Sequence, residues 1–273
     1  MTEHQIVDVD GFKVRAKATW MAGDYGRVAK FTEATAEDFI ARRHIRSGAR
    51  VLDVACGTGN LAIPAARAGA EVAGIDIAPN LLDQARLRAN REGVNVDFQE
   101  GDAETLPYQT GAFDLVVTMF GAMFAPRPDI VARELLRVCR AGGQVAMANW
   151  TPAGFVGELF RITGRHVAPV AGAPSPLQWG DEATVRERLA SRTTDVQTTR
   201  LMAELKFPFS VAETIEFYRL HYGPTVRAFA ALSQEAQAGL RQDLESLYIR
   251  QNAATDGTTI IAAEYLEVVA TRS

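Results

Sequence analysis

Short runs rich in β-branched residues alternate with helical patterns between residues 49 and 149, and this alternation constrains the fold most strongly. Strands are predicted at residues 50–55, 71–76, 94–99, 113–119 and 144–149. Helices are predicted at 61–68, from Pro79 to a stop at Gly93, and at 130–138, and a glycine-containing turn at 141–143 leads into the fifth strand. Strands that alternate with helices form βαβ units, so we expect a doubly wound α/β core with a parallel sheet.

The regular alternation of predicted strands and helices stops after Trp150. Helices are predicted near residues 154–167, 181–190, 212–222, 225–232 and 235–250, and strands at 194–207 and 258–271. Two late strands that bracket a group of helices indicate an antiparallel pair completing the sheet, with a helical cap over its mouth.

The charge balance argues against a polyanionic partner. The formal net charge is -4, so we expect neither nucleic acid nor an anionic membrane as the main partner. Arg42, Arg43 and Arg46 cluster near His44, and we interpret them as the solvated face of a helix.

The cysteine count and the first residues point to a reducing compartment. Cys56 and Cys139 are too few for a disulfide framework or a zinc cluster, so no metal is expected. The start of the chain, with Glu3, Asp8 and Asp10, lacks the basic and apolar regions of a secretion signal, and no apolar stretch is long enough to span a membrane. We therefore expect a cytoplasmic protein.

Three acidic residues lie near the ends of the first three predicted strands, Asp53, Asp76 and Asp102. Ligands of an open parallel sheet bind beyond the carboxyl ends of its strands. Gly57 and Gly59 would let the backbone turn sharply and approach a ligand. Asp76 could accept both hydroxyls of a ribose, and Asp102 could accept the amine of an adenine. An acidic lining also suits a sulfonium cation.

The same turn fits a second ligand. Residues 57–62, Gly-Thr-Gly-Asn-Leu-Ala, match the dinucleotide pattern G-x-G-x-x-A, so an NAD(P)-dependent oxidoreductase is a competing hypothesis. Asp53 would repel a pyrophosphate at this turn, and residues 101–103 have no place in the dinucleotide pattern. Asp53 could also simply cap nearby backbone amides.

Four segments in this order resemble the motifs of class I S-adenosylmethionine-dependent methyltransferases. They are residues 51–60 (VLDVACGTGN), 74–77 (GIDI), 100–107 (EGDAETLP) and 113–117 (FDLVV). The most similar version is the small-molecule branch that includes the quinone-biosynthesis methyltransferases, and the resemblance covers residues 49–149. It implies a mostly parallel seven-stranded Rossmann-like sheet whose last pair includes one antiparallel strand.

The resemblance also implies roles for individual residues. The methionine part of S-adenosylmethionine would be shaped by Asp53, Ala55, Gly57 and Gly59, with Phe120 near the transferred methyl. The ribose would bind Asp76, and the adenine would contact Ile77, Asp102 and Ala103. Trp20 and Tyr25 would close over the cofactor as part of a lid. Ala55 departs from the family pattern, because many members have a glycine there.

The predicted organisation is therefore three segments: lid helices at 1–48, a cofactor-binding core at 49–150, and cap segments with the last two strands at 151–273. The acceptor is predicted to be a small, partly apolar molecule. His221 and Tyr222 are the first candidates if the acceptor must lose a proton. A non-catalytic module that holds the cofactor without turnover is a third hypothesis.

Overall fold

The computed structural model describes residues 8–273, so residues 1–7 of the predicted first segment lie outside the described part. Its seven strands are β1 (Arg50–Val54), β2 (Glu71–Asp76), β3 (Val96–Glu100), β4 (Phe113–Met119), β5 (Cys139–Trp150), β6 (Thr193–Phe207) and β7 (Thr259–Arg272). They form one sheet in the order β3-β2-β1-β4-β5-β7-β6. Strands β1 to β5 are parallel, and β7 is antiparallel to both β5 and β6. The predicted seven-stranded, mostly parallel sheet is confirmed.

Eleven α-helices occur within residues 8–273. They are α1 (Val9–Trp20), α2 (Tyr25–Ala29), α3 (Glu33–Ala41), α4 (Ala62–Arg67), α5 (Pro79–Arg91), α6 (Pro128–Val138), α7 (Phe155–His166), α8 (Glu182–Leu189), α9 (Val211–His221), α10 (Gly223–Ala230) and α11 (Gln234–Gln251). The last three lie between β6 and β7, as the sequence indicates for the helical insertion. Short 3₁₀ turns occupy Lys30–Thr32, Ala122–Phe124, Pro176–Gly180 and Ala190–Arg192.

The core strands are buried on both faces because helices cover the sheet on each side. Val51, Leu52 and Val54 of β1 are fully buried, and Asp53 between them is also buried, as expected for a strand covered on both faces. The strand order reverses between β1 and β4, whose neighbours β2 and β5 extend the sheet in opposite directions. That switch point fixes where a ligand-binding crevice can form, beyond the carboxyl ends of these strands.

Strand β5 starts earlier than the sequence suggests. It begins at Cys139, opposite Phe113, and the regular register with β4 resumes only where Gln144 pairs with Leu115. Residues 140–143 therefore form a bulge within the strand, with Gly142 at a φ of 69°, rather than a turn that precedes it.

The arginine cluster after α3 is not the solvated helix face that the sequence suggests, because α3 ends at Ala41. Arg43 donates from Nη2 to Oε1 of Glu267 at 2.7 Å, and Arg42 donates from Nε to Oε2 of the same carboxylate at 3.2 Å. Glu267 lies on β7 and is buried. These two arginines therefore fasten the segment before β1 to the far side of the sheet.

Within residues 8–273 no helix is long and apolar enough to cross a membrane.

Candidate functional site

A cavity lies beyond the carboxyl ends of β1, β2, β3 and β4, at the switch point. The predicted binding residues that line it are Trp20, Tyr25, Asp53, Ala55, Gly57, Asp76, Ile77, Asp102, Ala103 and Phe120. Sequence reasoning did not identify several other lining residues, among them Lys13, Ala29, Thr32, Gly121 and Phe124. The three acidic strand ends thus meet Trp20 and Tyr25 in one place.

The glycine turn after β1 uses its two glycines differently. Gly57 has a φ of 52° and lines the cavity beneath the ring of Tyr25. Gly59, with a φ of 85°, does not line it. A β-carbon at Gly59 would lie 3.1 Å from Cδ1 of Ile63 and 3.3 Å from the ring of Phe98. Gly59 is therefore required for close packing behind the turn.

Two buried aspartates hold the turn. Asp76 accepts the backbone N–H of Gly57 at 2.8 Å with Oδ2 and that of Ala78 at 2.9 Å with Oδ1. Asp53 accepts the backbone N–H of Ala62 at 3.0 Å, at the start of α4. Asp53 thus caps a backbone amide, as the simpler interpretation of the sequence allows, and it also lines the cavity.

Burial makes it unfavourable for these two carboxyl groups to ionise. Burial raises the pKa of Asp53 well above its ordinary value; the Ala62 N–H opposes that rise, and neighbouring Asp76 adds to it. Burial likewise raises the pKa of Asp76, against the hydrogen bonds from backbone amides. Two acidic groups close together in a cavity favour a ligand that brings positive charge.

The same hydrogen bonds discriminate between the two candidate cofactors. A dinucleotide fold uses free N–H groups of the glycine turn and of the following helix to hold a pyrophosphate. Here Gly57 and Ala62 already donate their N–H groups to Asp76 and Asp53. A pyrophosphate at this turn would lie beside two carboxylates that already occupy two of its N–H groups, which disfavours NAD(P).

An ion-pair network closes the cavity near Asp102. Lys13 Nζ lies 2.5 Å from Asp102 Oδ2 and 2.5 Å from Glu104 Oε2. Glu104, whose side chain is fully buried, also accepts Arg127 Nε at 2.8 Å. Asp102 is therefore already engaged by a cation on α1. No local pattern could have revealed this contact, because Lys13 and Asp102 are 89 residues apart.

Unusual backbone conformations mark the cavity near the end of β4. Ala55 and Phe120 adopt left-handed conformations, with φ of 57° and 56°, which cost L-residues free energy and cluster at functional sites. The ring of Phe120 stacks on Trp150 with centroids 3.6 Å apart and planes 6° apart. This stack holds the side chain of Phe120 and thereby helps to keep its backbone in the left-handed conformation.

Aromatic side chains from the first segment, from the turn after β4 and from the segment after β6 form a wall beside this region. The ring centroid of Trp20 lies 5.6 Å from that of Tyr25, 5.0 Å from that of Phe124 and 6.0 Å from that of Tyr222. Burial, with a contribution from Asp76, raises the pKa of Tyr25 to about 12. The wall is therefore uncharged near neutral pH.

The two candidate bases do not line the cavity. Nε2 of His221 lies 3.0 Å from Nη1 of Arg27, and its ring contacts Phe217 with centroids 4.8 Å apart. Burial and Arg27 lower the pKa of His221. Tyr222 packs behind Trp20, and burial raises its pKa far above the usual phenol range. Their catalytic roles stay predictions.

Relatives and solved structures resemble the chain in sequence and fold. A family model described as a methyltransferase domain matches residues 51–143. An uncharacterised protein of Mycobacterium tuberculosis is 37% identical over 250 residues, which cover 90% of each chain. A ubiquinone biosynthesis O-methyltransferase of Xanthomonas oryzae is 36% identical over 151 residues, 54% of this chain and 63% of the relative.

A solved structure shares the fold. It is a Haemonchus contortus phosphoethanolamine N-methyltransferase in complex with phosphomonomethylethanolamine and S-adenosylhomocysteine. It superposes with a TM-score of 0.56 at 20% identity and covers 87% of this chain and 52% of the other. At that identity the likeness supports the fold alone.

Proposed function

This chain belongs to the class I S-adenosylmethionine-dependent methyltransferases, and from that premise we propose that it methylates a small, partly apolar acceptor. We place the cofactor in the cavity beyond β1, β2 and β3. The observation that carries the proposal is the pair of buried carboxylates, Asp53 and Asp76, which line this cavity without a cationic partner among residues 8–273.

The residues present fit S-adenosylmethionine. Each oxygen of Asp76 accepts one backbone N–H, and a carboxylate oxygen can accept a second hydrogen bond, so both ribose hydroxyls could bind there. Asp53 and Gly57 would surround the methionine part. Ile77 and Ala103 would contact the adenine, whose amine would share Asp102 with Lys13. When bound, the cofactor supplies an electrophilic methyl group on a sulfonium.

The chain itself contributes alignment and exclusion of water. Trp20, Phe120 and Phe124 present apolar surface to the cavity, and such a wall favours an apolar acceptor and strips water from its nucleophile. The Phe120–Trp150 stack keeps one side of this wall rigid.

Apart from Lys13 and the aspartates that would hold the cofactor, no lining residue is suited to act as a general base. Tyr25 has a pKa of about 12, whereas a base works best when its pKa lies near the operating pH. The thiol of Cys56 has its pKa raised well above the usual range by burial and by the two aspartates. We therefore infer that the acceptor brings a nucleophile that is reactive without an enzyme base, such as an amine, a thiol or an acidic hydroxyl.

A turnover screen tests the proposal. The purified protein and S-adenosylmethionine are incubated with separate panels of phenols, amines, thiols and aliphatic alcohols, and S-adenosylhomocysteine release is quantified. We expect release with members of the first three panels. Tight binding of the cofactor with no release from any panel would favour the non-catalytic module. Release with aliphatic alcohols alone would contradict the inferred acceptor class.

A further inference from the structure

Helix α1 forms one wall of the cavity although nothing in it is buried. Lys13, Ala16 and Trp20 line the cavity, and none of the residues Val9–Trp20 is buried. Several of its apolar side chains, including Phe12 and Trp20, are half-buried, so α1 gains less stability from the hydrophobic core than a helix with a fully buried face. Other contacts must therefore help to keep α1 in place.

The carboxyl-terminal end of α1 is fixed to the cap. A β-carbon at Gly223 would lie only 1.9 Å from the carbonyl oxygen of Thr19, so α1 and α10 touch backbone to backbone. Nη2 of Arg227 donates to the carbonyl of Ala18 at 3.2 Å. The N–H of Asp24 donates to the carbonyl of His221 at 3.0 Å. Residues 18–24 are thus an anchored end.

The part of α1 that precedes this anchored end is held mainly by charge. Lys13 bridges Asp102 and Glu104 at 2.5 Å each, and Lys17 pairs with Glu100 at the end of β3. The Lys13 side chain is 18% exposed and that of Glu104 is 0% exposed, so the contact is stronger than a surface pair but still open to screening by dissolved salt. One end of the helix is fixed, and the other is tied across the cavity.

We propose that Lys13 is an electrostatic latch that holds α1 closed over the cofactor and thereby sets the rate at which cofactor and product exchange. The inference rests on the proposed function, because the latch closes over the adenine end of the cofactor site. Lys13 is a positioning residue here, since it acts by fixing α1 and Asp102.

The latch can open without leaving the buried carboxylate of Glu104 unpaired. When Lys13 leaves, Glu104 keeps Arg127, which donates from its backbone N at 2.6 Å and from Nε at 2.8 Å. Asp102 keeps the N–H of Glu104 at 2.8 Å. An unpaired buried carboxylate would be strongly destabilising, so Arg127 makes the open state accessible.

Stopped-flow measurement of S-adenosylhomocysteine dissociation, followed by tryptophan fluorescence, tests the latch. For the wild type we expect dissociation to accelerate between about 20 mM and about 500 mM NaCl, because salt weakens ion pairs. Lys13→Met should dissociate at least about tenfold faster at low salt and lose most of the salt dependence. Lys13→Arg should restore slow, salt-sensitive dissociation.

Lys206→Met is the matched control, because Lys206 forms an exposed ion pair with Glu204 on β6; its dissociation rate should equal that of the wild type. Lys13→Met with a wild-type rate and salt slope would overturn the latch. Fast dissociation in Lys13→Arg, with the fold intact by circular dichroism, would also overturn it. Failure of the proposed function would look different, because the wild type itself would then not bind S-adenosylhomocysteine.

Discussion

The methyl group of Ala55 occupies the space that a side chain at position 121 would need. A β-carbon built on Gly121 would lie 2.7 Å from Cβ of Ala55 and 2.7 Å from its carbonyl oxygen. Ala55 itself has a φ of 57°. The alanine that departs from the family's usual glycine is thus accommodated by a glycine that lies directly against it.

Gly121→Ala should be destabilising and should weaken cofactor binding. Overpacking at a tight contact costs about 1–3 kcal/mol, and here the strain would fall on the turn that lines the site. Chemical denaturation and calorimetry with S-adenosylhomocysteine check both effects.

Ala55→Gly is the companion variant. It removes a left-handed alanine, so we expect stability within about 1 kcal/mol of the wild type. The double variant Ala55→Gly/Gly121→Ala should recover part of the loss but not all, because the carbonyl oxygen of residue 55 remains in place. Full additivity of the two single effects would show that the positions do not interact.

Asp53→Asn should separate stability from cofactor binding. The amide can still accept the N–H of Ala62, but the buried charge is gone. Burial raises the pKa of Asp53, so the folded protein holds this proton more tightly than the unfolded chain does. Ionisation therefore costs stability, from about pH 4 up to the raised folded-state pKa.

We accordingly expect the melting temperature of Asp53→Asn without cofactor to exceed that of the wild type at pH 7.5 by at least about 2 °C, with a smaller difference near pH 4. S-Adenosylmethionine, which carries the sulfonium charge, should lose about tenfold in affinity, and neutral-sulfur S-adenosylhomocysteine clearly less. Equal losses for both ligands would argue against an electrostatic role for Asp53.

Glu267→Ala should destabilise the fold without touching the site. Arg43, whose side chain is 6% exposed, would be left buried without its partner. Breaking such a buried pair costs about 3–5 kcal/mol. Glu204→Ala removes a carboxylate from an exposed pair and should cost no more than about 1 kcal/mol. Denaturant unfolding measures the free energy of unfolding of both variants. A similar small decrease in both would refute the buried-pair account.

Tyr222→Phe and His221→Ala test whether the cap supplies a base. Neither residue lines the cavity, so with an acceptor identified by the turnover screen we expect kcat to change less than about threefold. Loss of a true general base costs about 100-fold or more. A pH–rate profile that follows the acceptor's own pKa in wild type and variants would agree with an acceptor-borne nucleophile.

The core of the fold was predictable from local pattern. Strands β2 and β4 have the bounds that the sequence predicts, 71–76 and 113–119, because β-branched runs bounded by turn residues specify them locally. The bulge at 140–143 was not predictable, since it depends on which residue of β4 each residue of β5 meets. Regular periodicity does not show where extra residues are inserted into one strand of a pair.

Part of the candidate site was also predictable from the sequence, and part was not. Asp53, Asp76 and Asp102 could be located because each follows or ends a predicted strand, and the topology brings strand ends together. Lys13 could not, because its contacts depend on how α1 folds back across β3. Gly59 is a different case. The motif identifies the residue, but it does not show that the α-carbon packs against Ile63 and Phe98 behind the turn.

Calorimetric titration of the wild-type protein with S-adenosylhomocysteine and, separately, with NAD tests the central claim most directly, with Asp76→Asn as the site variant. The exposed Asp83→Asn is its control, since the Asp83 side chain is 72% exposed. We predict binding of S-adenosylhomocysteine, no heat with NAD, an affinity at least about tenfold lower in Asp76→Asn, and wild-type affinity in Asp83→Asn. Binding of NAD without binding of S-adenosylhomocysteine, or full affinity in Asp76→Asn, would contradict the account.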